Sequence, residues 1–163
     1  MSGVVRARWT DQILDEAFHN IVANRPDLSL ERLSTTRRKM CEAVEDCLVS
    51  GYAGLADGIA LPDPGDRHVV AAAVRCSAQT IVTLNLKDFP PSALAALSIE
   101  AQHPDTFLSD LFDLAPAAIV AAVTAQAAAL RHPPQSVGQL LATLERNGLV
   151  RTVEELRTAL RLE

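Results

Sequence analysis

Apolar residues recur at helical spacing from the start of the chain. Ile13, Leu14, Ala17, Phe18, Ile21 and Val22 fall three and four residues apart, with Thr10 or Asp11 placed to cap them. This predicts a first helix to about Asn24, broken by Pro26. A second is predicted from about Ser29, with Leu30, Leu33, Met40, Val44 and Leu48 along one side. Gly51, Gly54 and Gly58 then loosen the chain into a turn-rich connection, and Pro62-Asp63-Pro64-Gly65 makes a firm stop. The Ala-rich stretch Asp66–Arg75 predicts a third helix.

Thr80–Leu84 breaks the helical period. It is β-rich and apolar on consecutive residues, which predicts a strand buried on both faces, as in a parallel sheet. Pro90 and Pro91 open a short helix, and Ile99–Gln102 reads as a last strand. After His103 the pattern is helix upon helix: Pro104–Leu114, Pro116–Arg131, Ser136–Asn147 and Thr152–Leu162, punctuated by Pro133-Pro134 and Gly148. The fold class expected is α/β, helix-rich, with a small parallel sheet. Two short strands alone make a poor core, because each needs neighbours to satisfy its backbone. A strand is wanted before the first helix, and Val4-Val5 is too short to supply it.

Composition sharpens this picture. With 48% hydrophobic against 21% charged residues, the chain folds rather than staying disordered, and 163 residues suit one substantial core. Aromatics at 4% favour close-packed Ala/Leu helices over a β-sandwich. Met1–Thr10 has no apolar core or cleavage site, and the run Ala115–Leu130 is too short and Ala-rich for a bilayer. A cytoplasmic protein with no membrane partner is expected. Cys41, Cys47 and Cys76 are odd in number and form no C-x-x-C pair, which argues against a zinc cage and suits a reducing compartment. The net charge of −5 argues mildly against a nucleic-acid footprint. Arg32, Arg37, Arg38 and Lys39 do cluster, with Arg6 and Arg8 near the start, but a solvated helix face is the plainer reading.

The chemistry concentrates in Leu61–Phe89. Asp66 stands at a helix start, and Asn85 and Asp88 lie just past the end of a strand, where open α/β sheets bind ligands. Clustered carboxylates repel one another, and a hard divalent cation with oxygen ligands relieves that cost. Each residue also has a plainer role open to it. Asp66 could simply cap its helix, and Asp88 could form a turn ahead of Phe89-Pro90. Asp63, in a Pro-bounded turn, reads as structural or as orienting a metal-bound water. Arg67 and His68 read as phosphate contacts or as helix-surface residues with His68 partly packed. His103 and His132, beside prolines, are given no role. Ser136–Leu162 has the outline of a helix-turn-helix. Its Arg146, Arg151, Arg157 and Arg161 are offset by Glu145, Glu154, Glu155 and Glu163, so packing or partner contact is preferred to DNA reading. There is no Gly-rich phosphate loop, H-x-x-x-H spacing or Ser-His-Asp logic.

Taken together, ILDE (Ile13–Glu16), PDPGDRHVVAAA (Pro62–Ala73) and IVTLNLKDFP (Ile81–Pro90) resemble the PIN-domain ribonucleases. More narrowly they resemble VapC-type toxins bearing DRHV and NLKDFP signatures, as do IEAQHPDTFL (Ile99–Leu108) and the Pro-Pro break before Ser136. The resemblance implies a PIN-like three-layer fold over residues 1–102, with 103–163 a helical C-terminal extension packed on it. It also implies an acidic cluster binding Mg²⁺ or Mn²⁺ and cutting RNA. Glu16 matches the family's helix acid, Asp66 the acid before the Ala run and Asp88 the late acid. Asn85 stands where many PIN domains have a further Asp, and Gly65 replaces a common acid, a change expected to be tolerated. The resemblance thus makes Asp66, Asp88 and Glu16 catalytic and, with Asn85, metal-binding; by periodicity alone Glu16, like Asp15, is a solvated flank residue.

PIN domains open with a central strand ending in Asp, within a pattern like LLDxxVL. Nothing before Trp9 matches it, so the PIN-like part is expected to be N-terminally incomplete, without that strand and its carboxylate. The function implied is metal-dependent endoribonuclease action by phosphodiester hydrolysis, with a cognate antitoxin as partner and a homodimer or higher oligomer as the assembly. The alternative is a catalytically impaired PIN remnant that binds antitoxin or self-associates. A third route borrows the missing strand from another chain.

Overall fold

In the computed structural model, Thr10 begins the first helix as its position predicts. The structure describes residues 3–25, 28, 30–131 and 133–162; Pro26, Ser29, His132 and the side chain of Arg32 lie outside the described residues. Thr10 Oγ1 accepts from the Ile13 amide at 3.0 Å and caps α1 (Asp11–Asn24). The contact with α2 (Leu30–Ala43) is more polar than the apolar spacing suggests. Arg37 of α2 pairs with Asp11 at 2.7 Å and with Asp15, both on α1. Leu33 is buried, but Leu30 is 73% exposed and Met40 is also exposed, because Arg37 rather than a second apolar residue joins the helices. No strand precedes α1 among the described residues. A single parallel bridge stands there instead: the Trp9 amide donates to Cys47 O at 2.9 Å, and the Val49 amide to Trp9 O at 2.8 Å.

The turn-rich connection forms a 3-10 helix, Ala53–Gly58, ahead of α3 (Arg67–Arg75). On α3, Val70, Ala71, Ala72 and Ala73 are buried. The small side chains let Val70 and Ala73 cluster closely with Ile81, Phe89, Leu94 and Ile99. β1 (Thr80–Val82) and β2 (Glu100–Gln102) form a two-stranded parallel sheet, and α4 (Pro91–Leu94) lies between them in sequence. The chain is therefore α/β, with few strands and many helices.

β1 corrects the expected strand in two respects. It stops at Val82, and only Ile81 is buried; Val82 and Leu84 are exposed, Leu84 by 67%. Thr83 Oγ1 accepts from the Asn85 amide at 3.1 Å, a side-chain turn that pulls the chain out of extended geometry.

Two compact units divide the chain. One gathers Arg6–Ile81 and Leu86–Ala101; the other gathers Met1–Val5, Val82–Asn85 and Gln102–Glu163. The second contains α5 (Pro104–Leu114), α6 (Pro116–Ala129), α7 (Val137–Arg146) and α8 (Val150–Leu160). Val123, Ala127, Leu140, Leu141, Val153 and Leu156 form its core. Ser136 and Gln139 build a reciprocal capping box at α7, and Gly148, at φ +92°, supplies the left-handed residue between α7 and α8. α8 buries Val153 and Leu156, Arg157 pairs with Glu145 at 2.9 Å, and Arg151 with Glu155 at 3.2 Å. These contacts fit the packing role preferred for this helix pair. No helix among the described residues is long and apolar enough to cross a membrane.

His103, given no role above, caps α5: its Nδ1 accepts from the Asp105 amide at 3.1 Å. Asp105 in turn caps α8. Its carboxylate accepts from the Arg151 and Thr152 amides, each at 2.9 Å, while Thr152 Oγ1 donates to the Asp105 carbonyl at 3.0 Å. Burial alone would raise the Asp105 pKa, but the Thr152 and Arg151 amides hold it below its ordinary value. A depressed carboxylate contributes stability that is present above its unfolded value and lost as pH falls through the folded one. Asp105→Ala should therefore cost about 1–2 kcal/mol at neutral pH, as for loss of a helix cap. It should also flatten the acid limb of stability below about pH 4. Urea melts of both proteins at neutral and acid pH check this; an equal difference at both would show the carboxylate charge to be immaterial.

Candidate metal centre

Three short pieces of backbone bring carboxylates together. Asp63 precedes the 3-10 turn Pro64–Asp66, and its Oδ1 accepts from the Gly65 amide at 2.7 Å, folding the carboxylate back over the turn. Asp66 ends that turn at the N-cap of α3, yet its side chain makes no capping hydrogen bond, so the plain cap role is not realised. Asp88 sits in the 3-10 turn Leu86–Asp88, held by the buried Phe89 that follows it. One oxygen from each of Asp63, Asp66 and Asp88 lies within 4.8 Å of the others. Asp66 and Asp88 are half-buried and Asp63 is exposed.

Burial, then the charges of Asp63 and Asp88, push the Asp66 carboxyl above its ordinary pKa; Glu16 adds to this, and His68 opposes it. Three crowded carboxylates, one of them visibly burdened by the others, are a donor set suited to a hard divalent cation that keeps some of its waters. Mg²⁺ and Mn²⁺ both fit this chemistry.

Glu16 and Asn85 make contacts of their own. Glu16, on α1, is not one of the three. Its Oε1 accepts from Gln12 Nε2 at 3.1 Å, and its Oε2 lies 3.2 Å from His68 Nε2. Asn85 belongs to the other unit, where its amide donates to Thr83 Oγ1. His68 is not a helix-surface residue: it is buried, 7% exposed. Its place three and four residues before the buried Ala71 and Ala72 carried that signal in the sequence. Asp63 was given a structural or water-orienting role, whereas its oxygen joins the cluster directly. Its i, i+3 spacing from Asp66 across one tight turn was the available clue.

Gly65 has a steric part in this site. A Cβ there would lie 3.0 Å from Asp63 Oδ1, so the carboxylate at the end of that side chain would have to shift. Gly65→Ala should therefore weaken Mn²⁺ binding by about tenfold through displacement of Asp63, a supporting-shell effect. Gly54→Ala, whose Cβ meets nothing within 4 Å, is the calorimetric control and should leave affinity unchanged. Equal affinities for the two variants would remove Gly65 from the site.

Residues 104–158, from the first turn of α5 into α8, match the family model described as the VapC50 C-terminal domain. A stretch of 79 residues is 48% identical to a curated protein of Mycobacterium tuberculosis (strain ATCC 25618 / H37Rv) named "Putative ribonuclease VapC50". The aligned stretch covers 48% of this chain and 47% of that protein, so the chain spans about half the length of the curated relative it matches. No solved structure matches the chain.

Proposed function

We propose that this chain is a VapC-type toxin, a ribonuclease that hydrolyses phosphodiester bonds with a divalent cation held by Asp63, Asp66 and Asp88. The convergence of those three carboxylates carries the reading. Mg²⁺ or Mn²⁺ bound there supplies polarisation of a phosphoryl oxygen and a water of lowered pKa. Asp66 and Asp88, half-buried on the turns flanking α3 and β1, give the cation fixed oxygens. Exposed Asp63 would add a third oxygen. Glu16, whose charge is felt at Asp66, is suited to orienting the attacking water and accepting its proton. The likeness to VapC-type toxins supports a cognate antitoxin as partner, a homodimer or higher oligomer as the assembly, and the cytoplasm as the setting.

A second reading is a non-catalytic protein that binds antitoxin or another copy of itself. It is favoured by the small size of the sheet, two three-residue strands among the described residues, where further strands are needed for independent stability. The test is cleavage of a structured RNA by the purified chain with Mn²⁺, with EDTA, and with Asp66→Asn plus Asp88→Asn. Mn²⁺-dependent cleavage lost in the variant supports the ribonuclease. Mn²⁺ binding without cleavage favours the non-catalytic protein, and cleavage that survives EDTA and the substitutions would overturn the metal reading.

A further inference from the structure

His68 is an unexpected residue to find buried on α3. Ala71 and Ala72, three and four residues on, share its face and are buried with it, and an apolar side chain would pack there at no polar cost. Both ring nitrogens of His68 are buried without a hydrogen-bond partner. A native interior rarely tolerates that without a functional reason. Glu16 does approach, its Oε2 standing 3.2 Å from His68 Nε2: close enough for an ion pair, but without a formed hydrogen bond. The opposite oxygen of Glu16 is already engaged by Gln12 Nε2 at 3.1 Å. A glutamate with half its side-chain surface exposed would ordinarily sample many rotamers. This one is bracketed at both oxygens, from its own helix and from α3.

Resting on the cation site proposed above, we propose that His68 is a positioning residue, holding the Glu16 carboxylate beside Asp63, Asp66 and Asp88 so that it serves the cation through water. Small movement of either side chain completes the Nε2–H to Oε2 hydrogen bond. α3 makes this possible because Asp66 and His68 sit two residues apart at its start, one in the cluster and the other reaching α1. His68 thereby joins an acid of one helix to a site built on turns, although it contributes no ligand itself.

The test is Mn²⁺ calorimetry on the full chain and on His68→Leu, His68→Gln, Glu16→Gln and the His68→Leu/Glu16→Gln pair. His68→Leu keeps the bulk and removes the donor; affinity should fall about tenfold with an unchanged circular dichroism spectrum. His68→Gln, whose amide nitrogen reproduces the Nε2 position, should restore most of it. Glu16→Gln should weaken binding in the parent but add little in the His68→Leu background, as expected when one residue acts through the other. Parental affinity in a folded His68→Leu, or undiminished loss from Glu16→Gln in that background, would overturn the assignment. Should His68→Leu fail to fold, His68→Asn, with its donor near the Nδ1 position, takes its place, and unchanged binding there would overturn the assignment equally. A parent chain that binds no Mn²⁺ overturns the cation site and this inference together; parental binding that ignores His68 overturns the inference alone.

Discussion

Asp66→Asn combined with Asp88→Asn is expected to abolish Mn²⁺ binding and, at the same time, raise the thermal midpoint of the metal-free protein. The two effects share one cause. Burial and the neighbouring charges of Asp63 and Asp88 hold the Asp66 carboxyl above its ordinary pKa. A carboxyl raised in the folded state contributes stability that is complete below its unfolded value and lost as pH rises through the folded one. At neutral pH the metal-free chain therefore carries a charge its fold disfavours, and a neutral amide of the same shape relieves the repulsion. A bound cation reverses the balance: at a hundred times Kd it stabilises the parent by about 2.7 kcal/mol. That gain should be missing from the variant. Calorimetry with thermal melts, each with and without Mn²⁺, reads all four quantities. A variant that melts lower than the parent without metal and still gains stability from Mn²⁺ would show these aspartates to be structural.

Leu141→Ala should be the most damaging single change in the unit of α5–α8. Leu141 is 0% exposed, and it sits in a core shared by α6, α7 and α8 with Leu140, Val153 and Leu156. Truncating a leucine so enclosed removes its transfer free energy and leaves a cavity, at a cost of about 2–5 kcal/mol. Leu114→Ala is the matched control. That residue is 79% exposed, and its truncation should stay within about 0.5 kcal/mol. Urea denaturation compares the two. Similar midpoints for both variants would contradict the core assigned to these helices.

The helices were legible because their signals are local. Thr10 caps α1, Ser136 opens α7, and the prolines at 104 and 116 begin α5 and α6 where the pattern predicts. Each depends on residues within a turn or two of one another, so spacing alone is informative. β1 departs from the expected strand because consecutive apolar residues do not by themselves bury both faces. Burial depends on what lies opposite, and Thr83 turns the chain away one residue after Val82. The His103 cap has no familiar sequence signature, and the Asp105 cap of α8 joins residues 46 positions apart.

The sequence by itself determined the order of helices and turns, the supply of acids and the apolar stretch that buries α3, since each of these is written in neighbouring residues. Only the tertiary structure decided which acids meet. Asp63 and Asp66 come within reach of Asp88 because Val70 and Phe89 pack into one core and draw two distant turns together. His68 likewise meets Glu16 of α1 across a separation of 52 residues. A carboxylate's chemistry belongs to its residue type, but its pKa, its partners and its fitness for a cation arise from charges and burial that long-range packing imposes.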